Sequence, residues 1–111
     1  MVMLSTYLVG SVQAQDDHMC PHHEATIAAL KECVSHAYEM GHIDNYGVVR
    51  SLLHLLQTAQ AALDRDQSDV SVKQLEAFIN LVEAQDGVHI LDGHAMHLIE
   101  HAQMVIDALL Q

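Results

Sequence analysis

The sequence predicts an all-α protein, a compact antiparallel four-helix bundle with an N-terminal leader. Three observations carry that expectation. Ala, Leu, Val, Ile, Met and Gln dominate a chain of 111 residues that is 50% hydrophobic, with one Pro and five Gly to interrupt helices. Four segments space their apolar residues by three and four, which lines them along one face of a helix. The alternating Val/Thr/Tyr runs and Asn-Gly turns that signal strands and hairpins are absent. The length suits one domain, and its core must be aliphatic, because there is no Trp, one Phe and three Tyr.

The first predicted helix runs from about Glu24 to Met40, with Ile27, Leu30, Val34, Ala37 and Tyr38 on its apolar face. Gly41 follows, where a left-handed residue ends a helix. The second runs from about Asn45 to Arg65. Asp44 or Asn45 can cap it, and Val49, Leu52, Leu53, Leu56, Ala59 and Leu63 form its stripe, widened by Val48 and Leu55. The third runs from about Ser71 to Gln85, with Asp69 or Ser71 as cap, Val72, Leu75, Phe78, Ile79 and Val82 as its face, and Gly87 as its stop. The fourth runs from about Asp92, its expected cap, to Leu110, with Ala95, Leu98, Ile99, Ala102, Val105, Ile106 and Leu109 in line.

No such stripe can be hidden without a facing partner. Short loops favour antiparallel neighbours, so helices one and two, and three and four, are expected as two hairpins joined by a longer polar crossover, Asp64 to Val70. Ile43 and Ile90 look like loop plugs onto the helix ends, and Gly41-His42-Ile43 echoes Gly87-Val88-His89-Ile90. The predicted core is Ile27, Leu30, Val34, Tyr38, Ile43, Leu52, Leu56, Leu63, Leu75, Phe78, Ile79, Val82, Leu98, Ile99, Ala102 and Ile106. The bundle is expected over residues 24–111.

Ahead of it, Val2 to Val12 form a short apolar run, and Val12-Gln13-Ala14 precedes the polar Gln15-Asp16-Asp17. An apolar stretch followed by a cleavage-like site is the layout of a secretory signal, expected over residues 1–14. The run is too short to span a bilayer, and no Lys or Arg stands near Met1. The competing reading is an ordinary leader. Residues 15–23 form a polar stretch containing Cys and His. Cys20 and Cys33 can pair in an oxidising compartment, provided the chain around Cys20 folds back along the first helix to bring the Cα atoms within roughly 7 Å. Secretion or another extracytoplasmic location is therefore the expected setting.

The formal charge is −11 with His neutral, and only four residues are Lys or Arg. Nucleic acid, whose binding rests on basic residues neutralising phosphates, is not an expected partner. Nor is an anionic membrane surface. The plain reading is a solvated acidic surface, although ten His would offset much of the charge in mild acid.

From about Cys20 to Leu110 the chain resembles the FIMAH domain, a small helical module of bacterial and archaeal extracellular proteins. Gly41-His42-Ile43 is similar to its glycine-isoleucine turn. Ser51-Leu52-Leu53 with Leu56 and Ala59 is similar to its second helix. Leu75 to Val82 is similar to its Phe-Ile core motif. Ala95, Leu98-Ile99, Ala102 and Ile106 are similar to its closing helix. The resemblance implies a bundle usually carried at the C-terminal end of secreted enzymes or surface proteins, and it brings no catalytic residues. With little ahead of the domain, a stand-alone module or part of a larger protein is expected.

The histidines offer the one candidate for chemistry. His18, His22 and His23 surround Cys20. His94, His97 and His101 stand three and four apart on the fourth helix, so they can converge on one cation. Imidazole suits Cu and Zn, and neighbouring Met and Cys favour Cu(I). Against this, the core stripe of the fourth helix centres between Ala102 and Ile106. That places the three His on its flank and beyond, solvent-facing or half-covered, with His36 and His54 on the polar sides of their helices. Met19, Met40, Met96 and Met104 read as packing filler. The lone Glu-x-x-His pair, Glu39 and His42, is interrupted by Gly41. Cys33 and His36 share a face, but no orienting third group accompanies them. Zinc-protease, P-loop and dinucleotide motifs are absent. The expected function is a non-catalytic extracellular accessory module contacting a protein or cell-surface partner, without cofactor. The alternative is a Cu- or Zn-binding protein.

Overall fold

The computed structural model describes Cys20 and residues 22–111. Four helices follow in order: α1 (Ile27–Glu39), α2 (Tyr46–Asp64), α3 (Ser68–Gln85) and α4 (His94–Leu109). Each packs against the next, and α1 also packs against α4, which closes the bundle. The expected signal segment, residues 1–14, lies outside the described residues, as do most of the leader and His18.

Local chemistry accounts for most of the helix ends. Thr26 has extended backbone, and its Oγ1 accepts a hydrogen bond from the Ala29 N–H at 3.1 Å, so α1 starts at Ile27 and not at Glu24. Asn45 does the same for α2, its Oδ1 accepting from Val48 N–H at 3.0 Å. At the end of α1, Gly41 has φ +81°. Its N–H donates to Tyr38 O at 3.1 Å, and the His42 N–H donates to Ala37 O at 2.8 Å. This pair of bonds satisfies carbonyls the helix leaves over.

The end of α2 closes in the same pattern with no glycine present. Asp66 takes φ 60°, its N–H donates to Leu63 O, and Gln67 N–H donates to Ala62 O. Asp tolerates the left-handed region better than most residues. The chain therefore turns at once into α3, and the longer crossover expected over Asp64 to Val70 does not form. Helix α3 begins at Ser68 with neither Asp69 nor Ser71 as its cap. Ser71 points into the core, completely buried, with no partner for its hydroxyl. Asp92 is not the cap of α4 either: Gly93, at φ 87°, precedes the helix without a side-chain bond.

The core runs through the whole bundle. Leu30, Leu52, Leu56, Leu75, Phe78, Val34 and Val82 are fully buried, with Val105 and Ala102 joining them from α4. Leu63, Ile79 and Ile99 are partly buried and pack against this cluster. Tyr38 departs from the expected core. Ala37 faces inward, and Tyr38, about 100° further round, is 41% exposed and lies against Tyr46 with ring centroids 5.7 Å apart.

The two hairpin turns meet. Ile43 and Ile90, each 1% exposed, form an antiparallel bridge. Asp44 N–H donates to His89 O at 3.0 Å, and Leu91 N–H donates to His42 O at 2.9 Å. Two irregular turns thus satisfy each other's backbone groups where a pair of side chains is buried. The similarity between Gly41-His42-Ile43 and Gly87-Val88-His89-Ile90 corresponds to this contact.

Candidate functional site

Among the described residues, the end of the leader packs outside the helical ring. Cys20 is bonded to Cys33 of α1, with Cα atoms 5.2 Å apart. The bond lays Cys20 and residues 22–24 along the groove between α1 and α4. This changes the environment of α4's flank. His101, which the periodicity of α4 places off the core stripe, solvent-facing or half-covered, is buried at 8% exposure. Its Nε2 lies 2.7 Å from Glu24 O, and its Nδ1 lies 3.4 Å from Cys33 Sγ. The helix pattern is correct about the angle; the returning leader supplies the cover.

A small cavity of about 150 Å³ opens beside the disulfide, lined by Cys20, His22, His23, Cys33, His97, Leu98, Glu100, His101 and Met104. A narrower one continues from it past His36, Ala37, His42 and His94. His42, in the first turn, stacks on His94 at the start of α4 with ring centroids 3.7 Å apart, and His97 meets His94 edge-on at 6.1 Å. His36, expected on a polar face, is half-buried, and its Nε2 is buried without a partner. His54 is exposed.

The three His of the alternative, metal-binding reading have different surroundings. His94 stacks on His42, His97 is exposed, and His101 turns into the bundle, its Nε2 at the Glu24 carbonyl and its Nδ1 beside the disulfide sulfur of Cys33. His22 and His23 are exposed. Among the described residues, no group of three or more His, Cys, Asp or Glu is arranged to hold a metal ion. The three His are spread over about two turns of α4, and different neighbours capture His94 and His101.

A second feature lies at the turn end of the bundle. Gly41, His42 and Asp44 face Gly87 to Asp92 across a cavity of about 140 Å³, with His89 Nδ1 2.8 Å from Asp44 Oδ1. Val88 and Leu91 line the cavity, and Tyr38, Met40, Tyr46 and Met96 stand close in sequence to the two turns; together they are six of the nine exposed large hydrophobics among the described residues. Sequence reasoning missed this surface. Its members come from two turns distant in sequence and the helix ends beside them, and only the echo between the two turns hinted at their meeting. Among the described residues, no helix is long and apolar enough to cross a membrane.

The FIMAH domain family model matches residues 27–107, from the first residue of α1 to the last turn of α4. The chain belongs to the FIMAH domain family. No curated protein and no solved structure matches it at a significant level. The match takes in all four helices and both turns of this FIMAH domain. It leaves out Cys20, so the disulfide-held segment packs on the family's helical unit from outside the matched region.

Proposed function

We propose that this FIMAH domain is a non-catalytic extracellular accessory module that contacts a protein or cell-surface partner through the turn end of its bundle. The observation carrying this reading is the gathering of Tyr38, Met40, Tyr46, Val88, Leu91 and Met96 at that end. Exposed apolar side chains concentrated in one place mark contact surfaces. Aromatic residues and Met are enriched in interface cores. The paired turns, cross-bonded through their backbones, give that surface a rigid base, so little ordering cost accompanies docking. The extracellular setting is supported by the Cys20–Cys33 bond, since such bonds persist in oxidising compartments.

The test is site-specific photocrosslinking on cells that produce the protein. A benzophenone side chain at Tyr46 or at Leu91 is expected to yield the same discrete crosslinked product. One at Gln57, exposed on the flank of α2, is expected to yield none. Identical products from all three positions, or none from any, would sink the reading.

A further inference from the structure

The surface at the turn end has a sign as well as apolar side chains. Glu39 closes α1, Asp44 and Asp92 line the cavity of about 140 Å³ beside Val88 and Leu91, and Asp86 follows α3; all four carboxylates are exposed. No Lys or Arg stands in residues 32–49 or 74–111. Arg50, in the early part of α2, faces a separate depression with Gly47, Ser51 and His54. Among the described residues, no Lys or Arg pairs with any of the four carboxylates. The opposite end of the bundle is mixed, with Arg65 and Lys73 among Asp64, Asp66 and Asp69. Helix dipoles leave the sign of the turn end unchanged. There α1 and α3 end while α2 and α4 begin, so their partial charges offset one another.

Asp44 keeps room for another partner. His89 Nδ1 meets one of its oxygens, Oδ1, at 2.8 Å, and the Asp44 side chain remains 66% exposed. A carboxylate offers about four lone-pair sites, so this contact steers the group without filling it. The Asp92 carboxylate lies over the second turn, its Oδ1 3.1 Å from where a Cβ on Gly87 would stand.

Building on the reading of the turn end as a contact surface, we propose that its occupant is a cationic segment of a partner protein, one that sets Lys or Arg among apolar side chains. A Lys or Arg head group enters the cavity that Asp44 and Asp92 line, and its methylene stem lies along Val88 and Leu91. The neighbouring apolar residues of the segment meet the exposed Tyr and Met side chains near the turns. Complementary charge beside apolar contact fixes register and speeds encounter. A second copy of this chain does not fit, because a two-fold contact sets the same carboxylates against each other. An anionic lipid surface meets the same repulsion.

The experiment titrates the isotope-labelled full chain at neutral pH with short synthetic peptides of equal length and follows amide resonances. One peptide is built of Leu and Lys, the second replaces every Lys by Glu, and the third replaces every Leu by Ser. The Leu/Lys peptide is expected to shift the resonances of Val88, Leu91 and Asp92, and to bind on the order of tenfold more tightly than the Ser/Lys peptide. The Leu/Glu peptide is expected to shift none. Asp44→Asn/Asp92→Asn is expected to weaken the Leu/Lys peptide on the order of fivefold. Asp64→Asn/Asp69→Asn, which removes the same charge at the opposite end, is expected to leave its affinity unchanged. Should Asp44→Asn/Asp92→Asn unfold, the three peptides on the unaltered chain carry the test. Equal weakening in the two double variants, equal binding of the Leu/Glu peptide, resonance shifts centred away from the turns, or a dimer joined through the turn end overturns the proposal. Crosslinking on cells tests the surface itself. A discrete product at Tyr46 and Leu91 that is undiminished in Asp44→Asn/Asp92→Asn leaves the contact surface standing and overturns its cationic occupant. The expected peptide pattern without any cellular product does the reverse.

Discussion

Phe78 is the single Phe of the chain, and it is completely buried at the centre of α3's inward face. In an aliphatic core, removing one ring leaves a void that neighbouring Leu and Val side chains fill poorly. Phe78→Ala is expected to cost about 3 kcal/mol or more, read as a lowered midpoint in a denaturant melt. Ser71 makes the opposite case on the same helix. Its hydroxyl is buried with no partner, and an unsatisfied polar group is a net cost to the folded state. Ser71→Ala should therefore stabilise the protein, by about 1 kcal/mol, and a lower midpoint would show that the hydroxyl has a partner in solution. The spacing in α3 identified Phe78 as core. It could not identify Ser71 as core, because a Ser near a helix start reads first as a cap, and the turn made by Asp66 moved that start to Ser68.

Among elements, the start of α2 separates two adjacent residues that the sequence leaves equivalent. Asp44 and Asn45 are both good caps, but it is Asn45 that accepts the Val48 N–H, while Asp44 is engaged with His89. Asn45→Ala is expected to lose about 1 kcal/mol. Asp44→Ala, which breaks an exposed pair, should fall within about 0.5 kcal/mol of the parent protein. Thermal melts of both variants check the contrast; equal losses would mean the cap is shared. The ends at Gly41 and Gly87 were legible because a glycine after a periodic segment has a specific use, and both take positive φ. The end of α2 was not, since Asp66 does the same work without the glycine signal.

For the whole molecule, the Cys20–Cys33 bond closes a loop of 13 residues in sequence. Chain entropy for a loop of that size puts its contribution at about 3 kcal/mol. The Cys20→Ser/Cys33→Ser double variant is expected to melt at lower temperature yet remain highly helical, because the core of α1 to α4 persists without the leader. Loss of all helical signal would show that the leader is integral to the bundle. His101 should become accessible in the same variant, which deuterium exchange at its ring carbon would register. The family match agrees with this division: it spans the four helices and stops short of Cys20.

What the sequence by itself determined is the part of the structure governed by periodicity and by residue-specific turn chemistry. Four helices, the inward faces carrying Leu30, Leu52, Leu56, Leu75, Phe78 and Ala102, the stops at Gly41 and Gly87, and the plugs Ile43 and Ile90 all follow from spacing along one chain. Tertiary structure alone decided what covers a flank. A helix pattern gives the angle of a side chain, and burial depends on what lies at that angle. Tyr38 finds Tyr46 and solvent there, His101 finds the disulfide-held leader, and His94 finds His42 from the opposite hairpin. The candidate site is made of such encounters between distant segments.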